Sequence, residues 1–312
     1  MRIRGAGRIA SSAVEALRIV ARNSPAEDAE RFVSQLSDAA RFLLQTRPTA
    51  VSLPNGIRYV MHRVNQAKPK ATSAAELKLA AIKAADDFVE LTRTAVERIG
   101  EIGAKRIREG DVVLTHCNSG AVISVMTTAW REGKRFEVYA TETRPRFQGH
   151  ITARALAHAG IPVTLILDDA VRYFMQDVDT VLVGADAITA NGALVNKVGT
   201  SMVALAAHEV DVKVFVAAES YKFSPETMIG ELVEIEERDP SEIISRKKLK
   251  KLGRVGVRNP SFDVTPPDFI DLIITERGII PPLGAMLILQ EVFGVLTPEE
   301  LREYQTYSLN EP

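Results

Sequence analysis

The strongest constraint on the fold is an alternation of short apolar runs with helix-like segments after Asp111. The runs are rich in β-branched residues and lie at 112–114, 136–139, 163–167, 180–183 and 212–216. Continuous apolar strands separated by helices, such as 151–158 and 200–209, indicate a parallel sheet covered on both faces. Residues 110–312 are therefore predicted to form a doubly wound, Rossmann-like α/β domain.

The chain before this alternation has a different period. Apolar residues recur at helical spacing in 9–21, 26–45, 55–65 and 74–108, and a capping box of Ser73 and Glu76 is predicted to open the last helix. Residues 1–109 are predicted to form an all-helical N-terminal domain. At the other end, the pattern predicts a strand at 270–275 and helices at 283–293 and 298–304.

Composition excludes several classes of protein. The 312 residues carry 39 Lys and Arg against 40 Asp and Glu, which does not fit an electrostatic binder of nucleic acid. No apolar run is long enough to cross a bilayer, so no membrane partner is expected. The single cysteine excludes an internal disulfide and fits a cytoplasmic location.

Polar residues follow the apolar runs at the points where strands are predicted to end. They are Cys117, the segments 141–144 and 168–169, Asp186, and the segment 219–222. In doubly wound sheets, ligands bind outside the carboxyl ends of the strands. We therefore expect these residues to converge along one edge of the sheet.

Cys117 lies between a predicted strand and a predicted helix start. The positive end of the helix dipole lowers the pKa of a thiol and attracts anions, whereas a lone cysteine elsewhere is commonly a small buried hydrophobe. His116 is adjacent, but neighbours on an extended strand point to opposite faces. A Cys-His dyad is therefore not predicted.

Asp186 ends an apolar run, where desolvation favours the protonated, proton-donating carboxyl; the alternative is that it caps the next turn. A tight turn is predicted at Asn191 and Gly192. Asn196 and Lys197 then precede a predicted helix. A lysine beside free backbone N–H groups at a helix start would form a phosphate site.

Further glycine-lined or cationic loops could approach a ligand. Arg4 precedes Gly5, Ala6 and Gly7, whose small size would let the backbone approach a ligand closely. The alternative is that this segment only begins a helix. A stronger candidate is the loop that contains Arg144, Arg146 and Gln148. Arg47 is another, although an arginine at a helix end is more often solvated. Lys222 is the last, and its alternative is a solvated surface lysine.

No metal and no cofactor are expected. The histidines show no metal-ligand spacing, and a dinucleotide-binding glycine fingerprint is absent. A thiolate base and a neutral carboxyl acid suit proton transfer next to a carbonyl or its masked equivalent. With cationic loops around them, the residues indicate a sugar-phosphate isomerase.

Six motifs in order resemble one family. They are Arg-Gly-Ala-Gly at 4–7, Arg-Pro-Thr-Ala-Val-Ser-Leu at 47–53, Thr-His-Cys-Asn-Ser-Gly at 115–120, Thr-Glu-Thr-Arg-Pro-Arg-Phe-Gln-Gly at 141–149, Val-Gly-Ala-Asp at 183–186 and Asn-Gly-Ala-Leu-Val-Asn-Lys-Val-Gly-Thr at 191–200. This family unites methylthioribose-1-phosphate isomerases, archaeal ribose-1,5-bisphosphate isomerases and regulatory subunits of translation initiation factor 2B. Glu-Ser-Tyr-Lys-Phe at 219–223 is similar to the bisphosphate branch, in which the lysine binds substrate.

The resemblance implies conversion of ribose 1,5-bisphosphate to ribulose 1,5-bisphosphate in AMP and nucleoside-phosphate degradation, through an enol phosphate. It makes Cys117 the base and Asp186 the acid, and it implies a homo-oligomer, either a dimer or a hexamer. The implied substrate-binding residues are Arg4, Gly5, Ala6, Gly7, Arg47, Asn118, Ser119, Gly120, Asn196, Lys197 and Lys222. A methylthioribose-1-phosphate isomerase and an initiation-factor-like regulatory subunit remain alternatives.

Overall fold

Helices make up the chain before Asp111, as the apolar spacing predicts. The computed structural model describes residues 5–46, 51–230 and 232–293. The first helices are α1 (Ala6–Asn23), α2 (Ala29–Thr46), α3 (Ser52–Ala67) and α4 (Ala74–Ala104). Their apolar faces share one core, which also includes Tyr221 from much later in the chain.

Helix α4 begins at Ala74 as predicted, but its N-terminal cap and its C-terminal end differ from the prediction. The carboxylate of Glu76 accepts hydrogen bonds from the Thr72 N–H and hydroxyl at 2.9 and 3.0 Å, so it does not return to Ser73 and the predicted capping box is wrong. The helix ends at Ala104 instead of residue 108. The Arg108 N–H instead donates to the Asp111 carboxylate at 2.8 Å, in the turn that leads into the first strand.

A seven-stranded sheet follows in the described part of the chain. Its parallel strands are β1 (Val112–Thr115), β2 (Glu137–Thr141), β3 (Val163–Ile166), β4 (Thr180–Gly184), β7 (Lys213–Ala217) and β9 (Leu272–Thr275). The strand order is β10-β9-β7-β4-β1-β2-β3, with the short β10 (Gly278–Ile280) antiparallel at one edge. This is the order of a doubly wound sheet, and the predicted fold class is confirmed.

Both faces of the sheet are covered, which explains why its strands are apolar without alternation. In β4, Val181 and Val183 belong to one core and Leu182 to the other. One core includes residues of α8 (Thr200–Glu209), the short α7 (Val171–Phe174) and α10 (Ala285–Phe293). The other includes residues of α5 (Gly120–Arg131) and α6 (Gln148–His158), together with the end of α4.

Helix α4 contributes to two cores. Its first half packs in the helical core through residues such as Phe88, and its last turns pack on α5, where a Cβ on Gly103 would lie 2.5 Å from Val125. The division into domains at residues 109 and 110 stays a prediction. The predicted helix at 298–304 lies outside the described residues.

A small antiparallel sheet stands next to the main one. It pairs β5 (Ala187–Ile188) with β6 (Leu194–Lys197) and β6 with β8 (Phe262–Thr265). The predicted turn at Asn191 and Gly192 joins β5 to β6. Between β7 and β8, a largely irregular segment runs over residues 232–261 and includes the short helix α9 (Arg246–Lys251). Within the described ranges, none of the helices combines the length and apolarity that crossing a membrane requires.

Candidate active site

Cys117 and Asp186 lie on either side of the switch point of the main sheet. The chain proceeds outward from β1 through β2 and β3 on one side, and through β4, β7 and β9 on the other. Such a reversal opens a crevice at the carboxyl ends of the two central strands. Cys117 follows β1, and Asp186 follows β4. The Asp186 carboxylate is close enough to Cys117 to affect the pKa of its thiol.

The backbone of Cys117 is fixed by two threonine side chains. Its φ of 71° lies in the left-handed region, which is uncommon for a residue with a side chain. The Cys117 N–H donates to the Thr143 hydroxyl at 2.9 Å, and the Cys117 carbonyl accepts from the Thr152 hydroxyl at 2.8 Å. These contacts come from the loop after β2 and from α6, and they set the direction of the thiol.

The pKa of the Cys117 thiol is raised to about 12, first by burial and then by the negative charge of Asp186. A backbone hydrogen bond from Asn118 and the positive charges of Lys197 and Arg238 act in the opposite direction. The expectation of a lowered thiol pKa at this helix start is therefore wrong. Desolvation of the thiolate outweighs the favourable dipole and charges.

The residues after Cys117 form the start of α5. The Ser119 hydroxyl accepts a hydrogen bond from the Val122 N–H at 3.4 Å, and the Asn118 side-chain oxygen accepts one from Thr152 at 3.1 Å. Asn118 and Gly120 are exposed. A Cβ on Gly184 would lie 2.5 Å from the Ser119 Cβ, so β4 passes very close to this turn.

His116 connects two loops and does not serve the thiol. Its Nδ1 lies 2.7 Å from the Thr141 hydroxyl oxygen, and its Nε2 lies 3.0 Å from the Val198 carbonyl oxygen. Because a carbonyl only accepts, Nε2 carries the proton. Burial lowers the pKa of His116, which favours this neutral ring. The absence of a Cys-His dyad follows from these two contacts.

Lys197 and Asn196 are neighbours on β6 and make different contacts. The buried Lys197 ammonium donates to the Ser261 carbonyl at 2.9 Å, and burial lowers its pKa. Its charge lowers the pKa of Cys117, which places it within electrostatic reach of the thiol. The Asn196 amide donates to the Thr200 hydroxyl at 3.0 Å and is directed toward the start of α8.

The start of α8 is already occupied by an acidic side chain. The Asp263 carboxylate accepts hydrogen bonds from the Gly199 N–H at 2.7 Å and from the Ser201 N–H at 3.2 Å. The expectation of free backbone donors for a phosphate beside Lys197 is therefore wrong. The N-terminus of this helix is capped by the protein itself.

Lys222 is buried instead of solvated. Its ammonium lies 2.6 Å from the Glu219 carboxylate, and Glu219 also accepts a hydrogen bond from the Tyr221 hydroxyl at 3.2 Å. The surface alternative for Lys222 is therefore wrong. The Ser224 N–H donates to the Ile188 carbonyl at 2.8 Å, two residues after Asp186, which brings the turn that carries Lys222 to the same edge.

The start of α1 contacts this turn. A Cβ on Gly7 would lie 2.6 Å from the Tyr221 hydroxyl oxygen, so only glycine permits this approach. Gly5 precedes α1 with a φ of 91°, and the Ala6 carbonyl accepts from the Ser52 hydroxyl at 2.9 Å. The segment 5–7 therefore lies beside the Lys222 turn. Arg4 and Arg47 lie outside the described residues.

The two arginines of the loop after β2 have contacts of their own. Arg146 forms an ion pair with Glu242, and the Arg144 guanidinium lies 5.3 Å from the centre of the Phe147 ring. Both arginines are exposed. Their assignment to a phosphate stays a prediction.

Three charged residues of the site were missed by sequence reasoning. Arg238 and Glu242 come from the irregular segment 232–261, and Asp263 comes from β8. Each reaches the site through a contact that is distant in sequence. In the described ranges, no group of three or more His, Cys, Asp or Glu side chains is arranged to hold a metal ion.

The fold and the site define the class of protein. The sequence matches the Initiation factor 2 subunit family over residues 2–282, and the chain belongs to this family. It is 54% identical to the ribose 1,5-bisphosphate isomerase of Thermococcus kodakarensis, and the match covers 94% of this chain and 92% of the relative. The family match and the identity to this named isomerase confirm two predictions, which are the family and the classification as an isomerase.

Solved structures show the same fold. A structure of 5-methylthioribose 1-phosphate isomerase from Pyrococcus horikoshii OT3 has a TM-score of 0.71 at 33% identity, and the match covers 95% of this chain and 85% of the other. The translation initiation factor eIF-2B of the same organism has a TM-score of 0.73 at 33% identity, with 90% and 93% covered. One fold thus includes proteins named as enzymes and proteins named as translation factors.

Proposed function

We propose that this protein converts ribose 1,5-bisphosphate to ribulose 1,5-bisphosphate, with Cys117 as the base and Asp186 as the acid. The observation that carries the proposal is their position on either side of the switch point, where the charge of one acts on the pKa of the other. The identity to named ribose 1,5-bisphosphate isomerases supports the choice of substrate. The Lys222 turn, similar to that branch in sequence, lies at the same edge.

The reaction needs two groups that can each donate and accept a proton. The C1 phosphate keeps the substrate in its ring form, so the ring must be opened as well as the C2 proton removed. Asp186 donates a proton to the ring oxygen as its bond to C1 breaks, and Cys117 thiolate removes the C2 proton. The product of this step is an open-chain enol phosphate with a C1–C2 double bond. Asp186 carboxylate then accepts the proton of the C2 hydroxyl while the Cys117 thiol returns a proton to C1. Both groups end in their starting states.

The charges of the site support this distribution of protons. Ionised Asp186 raises the pKa of Cys117, whereas Lys197 and Arg238 lower it. The repulsion between the two groups disfavours only the state in which both are ionised, so the pair carries one negative charge. When the remaining proton lies on the carboxyl, the thiolate stands beside two cations. Within the proposal, this thiolate and neutral acid form the active pair.

The cationic side chains hold the phosphates. Lys197 serves the end of the substrate near the thiol, and Lys222 with the segment 5–7 serves the other end. Because Lys222 is paired with Glu219, a second phosphate must compete with this carboxylate or share the lysine with it. A methylthioribose substrate would bring no second phosphate to Lys222.

Two variants test the proposal. We expect Cys117→Ser and Asp186→Asn each to lower turnover of ribose 1,5-bisphosphate by about 100-fold to 10,000-fold, because each removes one proton-transfer group. The matched control is Asp177→Asn, which changes an exposed carboxylate outside the site. Unchanged thermal unfolding would show that the variants fold. Full activity of either variant would exclude the mechanism.

The remaining expectations concern the setting of the reaction. A role in AMP and nucleoside-phosphate degradation, a cytoplasmic location and a homo-oligomer stay predictions. If methylthioribose 1-phosphate is the preferred substrate, or if only binding to a translation factor is found, the respective alternative replaces the proposal.

A further inference from the structure

The irregular segment 232–261 is joined to the site at its two ends. Two hydrogen bonds join the start of the segment to its end. The Ser261 N–H donates to the Glu236 carbonyl at 2.8 Å, and the Arg238 N–H donates to the Asn259 carbonyl at 2.9 Å. The Ser261 carbonyl in turn accepts from the Lys197 ammonium at 2.9 Å. These hydrogen bonds fix the backbone around Arg238 to the strand that carries Lys197.

The Arg238 side chain lies on the Lys197 side of the small sheet. Its guanidinium carbon lies 6.0 Å from the centre of the Phe262 ring, and Phe262 is the direct partner of Lys197 in the antiparallel pair of β6 and β8. Side chains of directly paired residues project from the same face. Arg238 is therefore next to Lys197 and is only partly exposed.

The segment continues from Arg238 across to the loop after β2. Glu242, four residues later, pairs with Arg146 of that loop. Residues 238–242 therefore connect the Lys197 strand to the loop whose Thr143 hydroxyl holds the Cys117 backbone. The charge of Arg238 lowers the pKa of both Cys117 and Lys197, as a cation facing the same crevice must.

Arg238 has donors for a ligand. Its Nε lies 3.3 Å from the Glu236 carboxylate, which orients the guanidinium. A guanidinium carries four further N–H donors in a planar arrangement that matches the oxygens of a phosphate. Lys197 offers a second positive charge beside it. The backbone donors at the start of α8 are taken by Asp263, so a phosphate here depends on side chains.

We propose that Arg238 is a substrate ligand, which binds a phosphate group of the sugar together with Lys197. This inference rests on the proposed phosphorylated substrate and adds a residue outside the six sequence motifs. The segment 232–261 then supplies a binding residue to the crevice and is more than a connection between β7 and β8.

The test uses inorganic phosphate as the probe and the single cysteine as the reporter. Phosphate bound beside the thiol slows its alkylation by iodoacetamide, and the dependence on phosphate concentration gives a dissociation constant. We expect Arg238→Met to weaken phosphate binding by about 10-fold or more, because a charge-assisted hydrogen bond is lost. Arg238→Lys, which keeps the charge, recovers part of the affinity. Arg254→Met, at an exposed arginine of the same segment, leaves it unchanged.

The outcomes separate this inference from the proposed function. Phosphate affinity of Arg238→Met within twofold of the wild type, an equal loss in Arg238→Lys, or no protection of the wild type by phosphate would each overturn it. Thermal unfolding of the variants shows whether they fold. If phosphate protects the wild type but ribose 1,5-bisphosphate is not converted, the isomerase proposal fails and the phosphate site stands.

Discussion

At Cys117, three charged side chains act on one thiol. Asp186 raises its pKa, and Lys197 and Arg238 lower it, while burial has the largest effect and keeps the thiol protonated. A protonated thiol is a poor base and a poor nucleophile, so Cys117, which is partly exposed, becomes a base only when its proton has moved to another group. Asp186 is the neighbour that can accept it.

Replacing Asp186 therefore has opposite effects on two reactions of the protein. Asp186→Asn removes a negative charge that raises the pKa of Cys117, so the pKa falls and more thiolate is present at a given pH. We expect faster alkylation of Cys117 by iodoacetamide, with a rate profile shifted to lower pH, although turnover is lost. Asp177→Asn is the control, and an unchanged profile in Asp186→Asn would contradict the electrostatic coupling.

Among the elements, α3 has a specific task at the site. Asn55 of α3 donates hydrogen bonds to the carbonyls of Tyr221 and Phe223 at 2.9 and 2.7 Å, on either side of Lys222. The Asn55 side-chain oxygen accepts from Arg58, which pairs with Glu226. A buried network from the helical part of the chain thus fixes the turn that carries Lys222.

Asn55→Ala tests this connection. It removes the donor of two buried carbonyls, which costs about 1–3 kcal/mol of the free energy of unfolding for each unsatisfied group. We expect a lower midpoint in urea and a raised KM, because the Lys222 turn is no longer held. Asn65→Ala changes an exposed asparagine of the same helix and serves as the control. Equal stability of the two variants would contradict this role of α3.

The elements that could be predicted from sequence are those with a local signal. Strand β4 is a continuous apolar run because both its faces are buried, and the turn between β5 and β6 has its Asn-Gly pair. Strand β8 has no such pattern, since Val264 is exposed and its pairing partner is more than sixty residues earlier. For the same reason, the cap that Asp263 provides to α8 could not be found from sequence.

For the whole molecule, the order of the strands determines where the chemistry lies. The rule for doubly wound sheets predicted from sequence that Cys117 and Asp186 meet at one edge, because each follows an apolar run. The electrostatics could not be predicted in the same way. The pKa of a thiol depends on how deeply it is buried and on nearby charges. Arg238 is one of these charges, and it comes from a segment rich in charged residues, which would be expected at the protein surface.

The same fold in relatives named as enzymes and as translation factors means that architecture alone does not define activity. The distinction depends on side chains: a thiol and a carboxyl at the switch point, and cations around them. The conversion of one substrate therefore tests the roles of these residues together.

The most direct test is incubation of the wild-type protein with ribose 1,5-bisphosphate in D₂O, followed by NMR of the sugar. We expect ribulose 1,5-bisphosphate to accumulate and deuterium to enter at C1, because the Cys117 thiol exchanges with solvent before it returns a proton. Cys117→Ser should leave the substrate intact. Unconverted substrate with the wild-type protein, or equal conversion by Cys117→Ser, would contradict the account.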